Sequence, residues 1–234
     1  MRVRGVPTDT DDDTRTGLQE DAIPPWWSQP NLGLVAVWVL FSVYAFKLAP
    51  NAASVTDRTL LEAAINLGVG EDGVLINRVF FALFNLMGVW GSVYACLLLP
   101  TGRSANRVPA WPFVAAAFFL GTFALLPYFA IWQPTAPPTQ QQQQQSGKVE
   151  GEAKRKSTVT RVLESRANAA LLAAGTAYFV AMAATAGPDA WGKFFLLFDK
   201  SRFTHVMTLD FVFLTFMAPF WLINDAEQRQ WSKG

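Results

Sequence analysis

Asp210 is the residue whose position in this sequence most strongly indicates chemistry. It lies about six residues into the last apolar run, where an ionised carboxylate is costly and marks a functional site by default. Two roles remain open for it: a paired or protonated structural carboxylate, and a proton-relay or ligand-binding group. The expected partners of this carboxylate are Ser92, Tyr94, Thr185, Arg103 and Arg107.

Asn85 lies at the centre of the second apolar run, where a polar side chain needs hydrogen-bond partners. It either joins helices or contacts a ligand. With Arg78, Phe81, Gly88 and Ser92 it forms a stripe spaced by three and four residues. We predict that this stripe faces the protein interior and that Gly88 serves helix packing.

His205 is the only histidine and lies near the start of the last apolar run. Its ring either supplies an axial nitrogen to a chlorophyll magnesium or anchors the helix by hydrogen bonds. His205, Asn85 and Asp210 are therefore the candidate pigment ligands or contacts. Arg78 and Asp225 are assigned structural roles, since we expect Arg78 to pair with Asp225 or with backbone carbonyls beside it.

Several classes of function are excluded by composition. One cysteine, Cys96, and one histidine exclude an intrachain disulfide, a CxxC redox pair, a multi-histidine metal site and bis-histidine haem ligation. No motif assembles a nucleophile, a base and an orienting group, so we expect neither an enzyme nor a metal site. The net charge of +1 gives no field that attracts nucleic acid.

The composition, 51% hydrophobic and 16% charged, is too apolar for a soluble domain. Runs of about 20 apolar residues can cross a hydrocarbon core of about 30 Å as helices. We predict an all-α membrane protein with about five transmembrane helices: residues 32–49, two arms of a hairpin within 76–132, 167–186 and 204–223. Pro127, in the third of these, frees a carbonyl around Phe123, for which a neighbouring helix or a ligand must supply the partner.

The rest of the chain is organised around these helices. We interpret residues 1–30 as a polar N-terminal tail and residues 31–234 as a single helical membrane domain. A disordered Pro/Gln-rich loop interrupts this domain at about 134–160. Residues 54–68 and 190–203 are amphipathic and predict two interfacial helices.

The fourth predicted span carries a row of small side chains. They recur every four residues and therefore share one helix face. Such a face lets another helix come close, which drives helix association in lipid. The row consists of Ala169, Ala173, Ala177, Ala181 and Thr185.

Two segments resemble an uncharacterised family of multi-pass membrane proteins of cyanobacteria and plastids. They are NRVFFALFNLMGVWGSVYACLLLPTGRSANRVPAWPFVAAAFFLGTFALLPYFAIWQP at 77–134 and SRFTHVMTLDFVFLTFMAPFWLINDAEQR at 201–229. The glutamine-rich insert departs from the short loop of the cyanobacterial pattern. The resemblance implies a plastid thylakoid location and carries no established catalytic residues.

We therefore expect a non-catalytic accessory or assembly subunit of a photosynthetic thylakoid complex, with photosystem I as the candidate. We expect contacts with lipids, with other subunits, and with chlorophyll a and carotenoid at the periphery. The nine Trp and 19 Phe side chains suit packing against such molecules. The alternative is a small membrane carrier, or a lipid- or pigment-modifying protein, that uses Asp210 and Asn85. Five spans place the termini on opposite sides, and the distribution of Lys and Arg favours a stromal C-terminus.

Overall fold

The computed structural model describes residues 30–50, 55–70, 76–135 and 158–229. Within these ranges the regular structure is helical and there is no strand. The predicted all-α class is confirmed for this part of the chain. The predicted tail at 1–30 and almost all of the predicted loop at 134–160 lie outside the described residues.

Nine α-helices follow one another along the described chain, and the first of them continues as one π-helical segment, Tyr44–Leu48. The helices are α1 Leu32–Val43, α2 Val55–Ile65, α3 Arg78–Leu98, α4 Trp111–Leu120, α5 Thr122–Ile131, α6 Thr158–Leu163, α7 Arg166–Ala184, α8 Pro188–Lys200 and α9 Arg202–Gln228.

Four of these helices begin at a side-chain cap that the sequence encodes. Asn31, Asn77, Ser165 and Ser201 each accept a hydrogen bond from a backbone N–H two or three residues later. A cap of this kind satisfies an N–H group that has no partner within the helix. The starts of α1, α3, α7 and α9 are therefore fixed locally.

Three helices, α3, α7 and α9, are long and apolar enough to cross a membrane. The helical segment Leu32–Leu48 is apolar but shorter, as are α4 and α5. This pattern is compatible with an integral membrane protein, but the predicted count of five spans is not confirmed. Two predicted spans differ: the first is the 17-residue segment Leu32–Leu48, and the third is divided into two short helices.

The third predicted span is a hairpin of two short helices, α4 and α5, that turns at Gly121. Its two ends lie together: the ring centroids of Phe113 and Tyr128 are 5.3 Å apart. The Asn106 amide, just before α4, donates a 2.7 Å hydrogen bond to the carbonyl of Ile131 at the end of α5. The segment therefore enters and leaves at the same end of the bundle.

Helices α3 and α9 are parallel. Their starts meet where the rings of Phe80 and Phe203 lie 6.1 Å apart. Near their ends, the Thr101 hydroxyl donates to Oδ1 of Asp225 at 2.5 Å. We call the end that contains Thr101 the upper end and the end that contains Phe203 the lower end.

Helix α1 runs the opposite way, from the upper to the lower end. The N–H of Asn31 donates to the carbonyl of Ala130 at 2.6 Å, and the Tyr44 hydroxyl meets His205 at the lower end. Residue 30 and Arg229, the two ends of the described chain, consequently both lie at the upper end. The predicted placement of the termini on opposite sides is not supported.

The two predicted amphipathic segments form α2 and α8, and both lie at the lower end. The Ser201 hydroxyl, after α8, donates to the Asp57 carboxylate of α2 at 2.5 Å. The Asn77 amide donates to the carbonyl of Ala190 at 2.7 Å. The five predicted spans would place these helices on opposite sides, because they count the α4–α5 hairpin as a crossing.

Candidate functional site at the turn of the α4–α5 hairpin

The buried carboxylate of Asp210 caps the N-terminus of α5. Its Oδ1 accepts a hydrogen bond from the N–H of Thr122 at 2.6 Å, and its backbone carbonyl accepts one from the Thr122 hydroxyl at 3.3 Å. Asp210 is only 5% exposed. The first N–H groups of a helix carry partial positive charge, so this position stabilises a carboxylate.

Gly121 makes the turn that brings α5 to Asp210. Its φ of 51° and ψ of −127° suit glycine, because this conformation is strained for any residue with a Cβ. A Cβ on Gly121 would also collide with the carboxylate of Asp210. The turn and the carboxylate therefore fit each other only if residue 121 is glycine.

The backbone beside the turn is held by Trp38 of α1. Pro127 has no N–H, so the carbonyl of Phe123 lacks its partner within the helix. The indole Nε1–H of Trp38 donates to that carbonyl at 3.0 Å. Of the two predicted sources of a partner for Phe123, a neighbouring helix or a ligand, the structure shows a neighbouring helix.

A cleft of about 580 Å³ lies next to the turn, on its lower side. Its walls come from the lower halves of α1, α3 and α9, and its roof comes from the turn itself. Its polar side chains include Asp210 and Ser42. The other lining residues are Trp38, Phe46, Phe84, Met87, Gly88, Ala117, Phe118, Phe119, Leu120, Gly121, Phe123, Phe203, Val206 and Met207.

Among the described residues, none of the predicted partners hydrogen-bonds to Asp210. Its carboxylate accepts from the backbone N–H of Thr122, and the Tyr94 hydroxyl donates to the carbonyl of Leu214 instead. The five predicted spans would place Asp210 near the side of Arg103, whereas α9 begins at the other end of the bundle. The N-terminus of α5, rather than a side chain, therefore stabilises the carboxylate of Asp210.

Asn85 does not line the cleft, although Phe84 and Gly88 on either side of it do. Its amide donates to the carbonyl of Phe81 in its own helix at 2.8 Å. The stripe predicted to face inward is partly exposed, since Arg78 and Gly88 lie on the surface of the chain. The buried face of α3 instead includes Val79, Phe80, Ala82, Leu83, Leu86, Tyr94, Leu97 and Leu98.

Both ring nitrogens of His205 have partners. Nδ1 lies 3.1 Å from the carbonyl of Phe198, which can only accept, so Nδ1 carries the proton. Nε2 therefore accepts from the Tyr44 hydroxyl at 2.7 Å. This arrangement favours the hydrogen-bonded anchor and leaves no ring nitrogen for a magnesium ion.

The predicted pairing of Arg78 with Asp225 is wrong, because the two residues lie at opposite ends of the bundle. Asp225 bonds to Thr101 and to Arg229, whose Nε lies 2.9 Å from Oδ1. Arg229 also pairs with Glu164 at 3.1 Å. Burial lowers the pKa of Arg229, but the two carboxylates outweigh burial and raise the pKa above its ordinary value.

The row of small residues on α7 points away from the rest of the chain. Ala169, Ala173, Ala177 and Ala181 are all exposed. The opposite face packs on α3, where the rings of Phe179 and Phe81 lie 6.3 Å apart. The row does not pack against the part of the chain that the structure describes, and its role in packing against a partner stays a prediction.

Sequence reasoning missed Gly121, Thr122 and Trp38. A single glycine in an apolar run of about 20 residues is ordinary in a transmembrane helix, so Gly121 gave no sign of a reversal. Trp38 could have been found from Pro127, because a freed carbonyl in lipid requires a donor, and an indole N–H can only donate.

No protein-family model, curated protein or solved structure matches this chain.

Proposed function

We propose that this protein is a non-catalytic accessory or assembly subunit of a larger membrane complex. The observation that carries the proposal is the exposure of α7. This helix of 19 residues is long and apolar enough to cross a membrane, yet none of its residues is buried against the described part of the chain. Its outward face carries the alanine row, which permits close approach of another helix in lipid.

Contacts at both ends hold α7 in place for docking. At the upper end, the Asn168 amide donates to the Sγ of Cys96 at 3.2 Å. At the lower end, the Trp191 indole donates to the carbonyl of Ala183 at 2.9 Å. A helix held in this way loses little additional freedom when a partner binds, so less of the binding energy is lost to ordering.

The proposed topology has four crossings: α1 with its π-helical continuation, α3, α7 and α9. The α4–α5 hairpin is re-entrant and returns to the upper side. A helical segment of 17 residues, Leu32–Leu48, reaches the lower limit of about 17 residues for a crossing. At the hairpin turn, the N–H of Gly121 donates to the carbonyl of Ala117 and the N–H of Thr122 donates to Asp210. Such bonds supply the partners that non-helical backbone at membrane depth requires.

The plastid thylakoid location, and photosystem I as the complex, are part of the same proposal. They rest on the resemblance of residues 77–134 and 201–229 described above. Pigment contacts along the exposed aromatic surface belong to this proposal too.

The test uses full-length protein expressed in its native membrane, solubilised in a mild detergent and separated on a native gel. Ala173→Leu with Ala177→Leu should reduce the share that migrates with a larger complex by about fivefold, since one packed contact in lipid contributes about 1 kcal/mol. Ala174→Leu, an equally exposed position beside the row, should leave the share unchanged. Migration of the wild-type chain as a monomer would contradict the proposal.

A further inference from the structure

The cleft beside Asp210 exists because the α4–α5 hairpin stops partway across the bundle. Helices α4 and α5 have 10 residues each, which gives about 15 Å, half of a hydrocarbon core of about 30 Å. Below Gly121, therefore, no part of the hairpin fills the layer between α1 and α3. The space left there, about 580 Å³, falls within the size range of small-molecule sites.

The rim of the cleft is apolar and exposed. Phe119 is 91% exposed, Phe46 is 67% exposed and Leu120 is 55% exposed. All three residues line the cleft and belong to the apolar segments of the bundle. An opening rimmed by such side chains at this depth faces lipid, so a ligand would enter from the membrane.

The interior of the cleft combines aromatic rings with one carboxyl group. Rings of Trp38, Phe84, Phe123 and Phe203 are among its walls, and such rings stack on flat aromatic ligands. Oδ1 of Asp210 accepts the N–H of Thr122. Oδ2 lies beside Gly121, in the space that a Cβ would take, and Gly121 also lines the cleft. A ligand hydroxyl next to Gly121 could therefore donate to this oxygen.

We infer that this cleft binds a lipid-soluble molecule whose flat aromatic head carries a hydroxyl group, as in a phenol or hydroquinone with a hydrocarbon tail. The hydroxyl donates to Asp210, the ring lies among the aromatic side chains, and the tail leaves through the apolar rim. A neutral hydroxyl suits the site better than an ammonium group, because an ammonium ion would lose its full hydration on entering. This site is separate from the α7 face and does not depend on complex assembly.

The test measures binding of decyl-hydroquinone and of its dimethyl ether to the purified full chain in lipid nanodiscs by titration calorimetry. The ether keeps the ring and tail but has no donor. We expect the hydroquinone to bind at least about tenfold more tightly, since hydrogen bonds to charged groups have that effect. Asp210→Asn keeps an oxygen for the Thr122 N–H and should lower hydroquinone affinity by a similar factor.

Two matched glycine variants distinguish binding in the cleft from binding elsewhere on the protein surface. A side chain at Gly88 meets nothing within 4 Å and projects into the cleft, whereas one at Gly175 of α7 is equally unhindered but lies elsewhere. Gly88→Leu should therefore abolish binding, and Gly175→Leu should leave it unchanged. The inference is overturned if the wild type binds neither probe, if it binds both equally, or if Gly88→Leu retains full affinity. The two glycine variants test whether the ligand binds in the cleft even if Asp210→Asn does not fold.

Discussion

Asp210 and Gly121 depend on each other at the turn of the hairpin. Reversing a chain inside an apolar layer leaves backbone N–H groups without partners, which costs several kcal/mol for each group. The carboxylate of Asp210 satisfies the N–H of Thr122, and the missing side chain of Gly121 makes room for that carboxylate. The polar residue that the sequence marks as functional is therefore first of all a helix cap.

A substitution at Gly121 tests this interdependence. Gly121→Ala should lower the free energy of unfolding by about 3 kcal/mol, because it adds backbone strain to a collision with the Asp210 carboxylate. The measurement is thermal or denaturant unfolding of the purified protein in detergent. Gly175→Ala is the control, since its Cβ meets nothing within 4 Å and should leave stability unchanged or raise it. Equal stability of the two variants would contradict the proposed role of Gly121.

Single-residue reasoning from the sequence succeeded where one local rule decides the outcome. Pro127 removes one N–H at a known offset, so the need of Phe123 for an outside donor followed from the sequence alone, and Trp38 supplies it. Asp210 was identified because charge in an apolar run is rare. Its partner was not identified, because that partner is a backbone group exposed only by the reversal at Gly121.

At the scale of elements, the apolar runs predicted where helices lie but not how each one crosses. A run of about 20 apolar residues is the same length whether it forms one spanning helix or two half-length helices. Residues 111–131 form two, and the contact between Phe113 and Tyr128 shows the reversal. Helix existence depends on local sequence, whereas the reversal depends on contacts with α1 and α9 that are distant in sequence.

Labelling of introduced cysteines tests the re-entrant hairpin. In a Cys96→Ser background, Arg107→Cys before α4 and Thr158→Cys at the start of α6 should react with a membrane-impermeant thiol reagent from the same side. Asp189→Cys at the start of α8 should react only from the other side; all three positions are exposed. If residues 111–131 crossed the membrane, positions 107 and 158 would be labelled from opposite sides.

At the scale of the whole molecule, one misassigned element reverses the direction of every helix that follows. Counting α4–α5 as a crossing makes α3 and α9 antiparallel and brings Arg78 near Asp225, as we predicted from the sequence. With the hairpin re-entrant, α3 and α9 are parallel and Asp225 meets Thr101. This error could not be detected from any single segment, because each run satisfied the rules for a spanning helix.

Crosslinking between α3 and α9 tests this parallel arrangement across the whole bundle. In the Cys96→Ser background, Thr101→Cys with Asp225→Cys should be joined by a short bifunctional thiol reagent, since the native side chains are in hydrogen-bond contact at 2.5 Å. Arg78→Cys with Asp225→Cys is the matched control. It should not be joined, because the 21 residues of α3 separate the two ends by about 30 Å. The yields are compared by the gel mobility of the intact chain and by mass spectrometry of the linked peptides. A crosslink in the control pair alone would show that α3 and α9 are antiparallel. Residues 111–131 would then have to cross the membrane as a spanning helix.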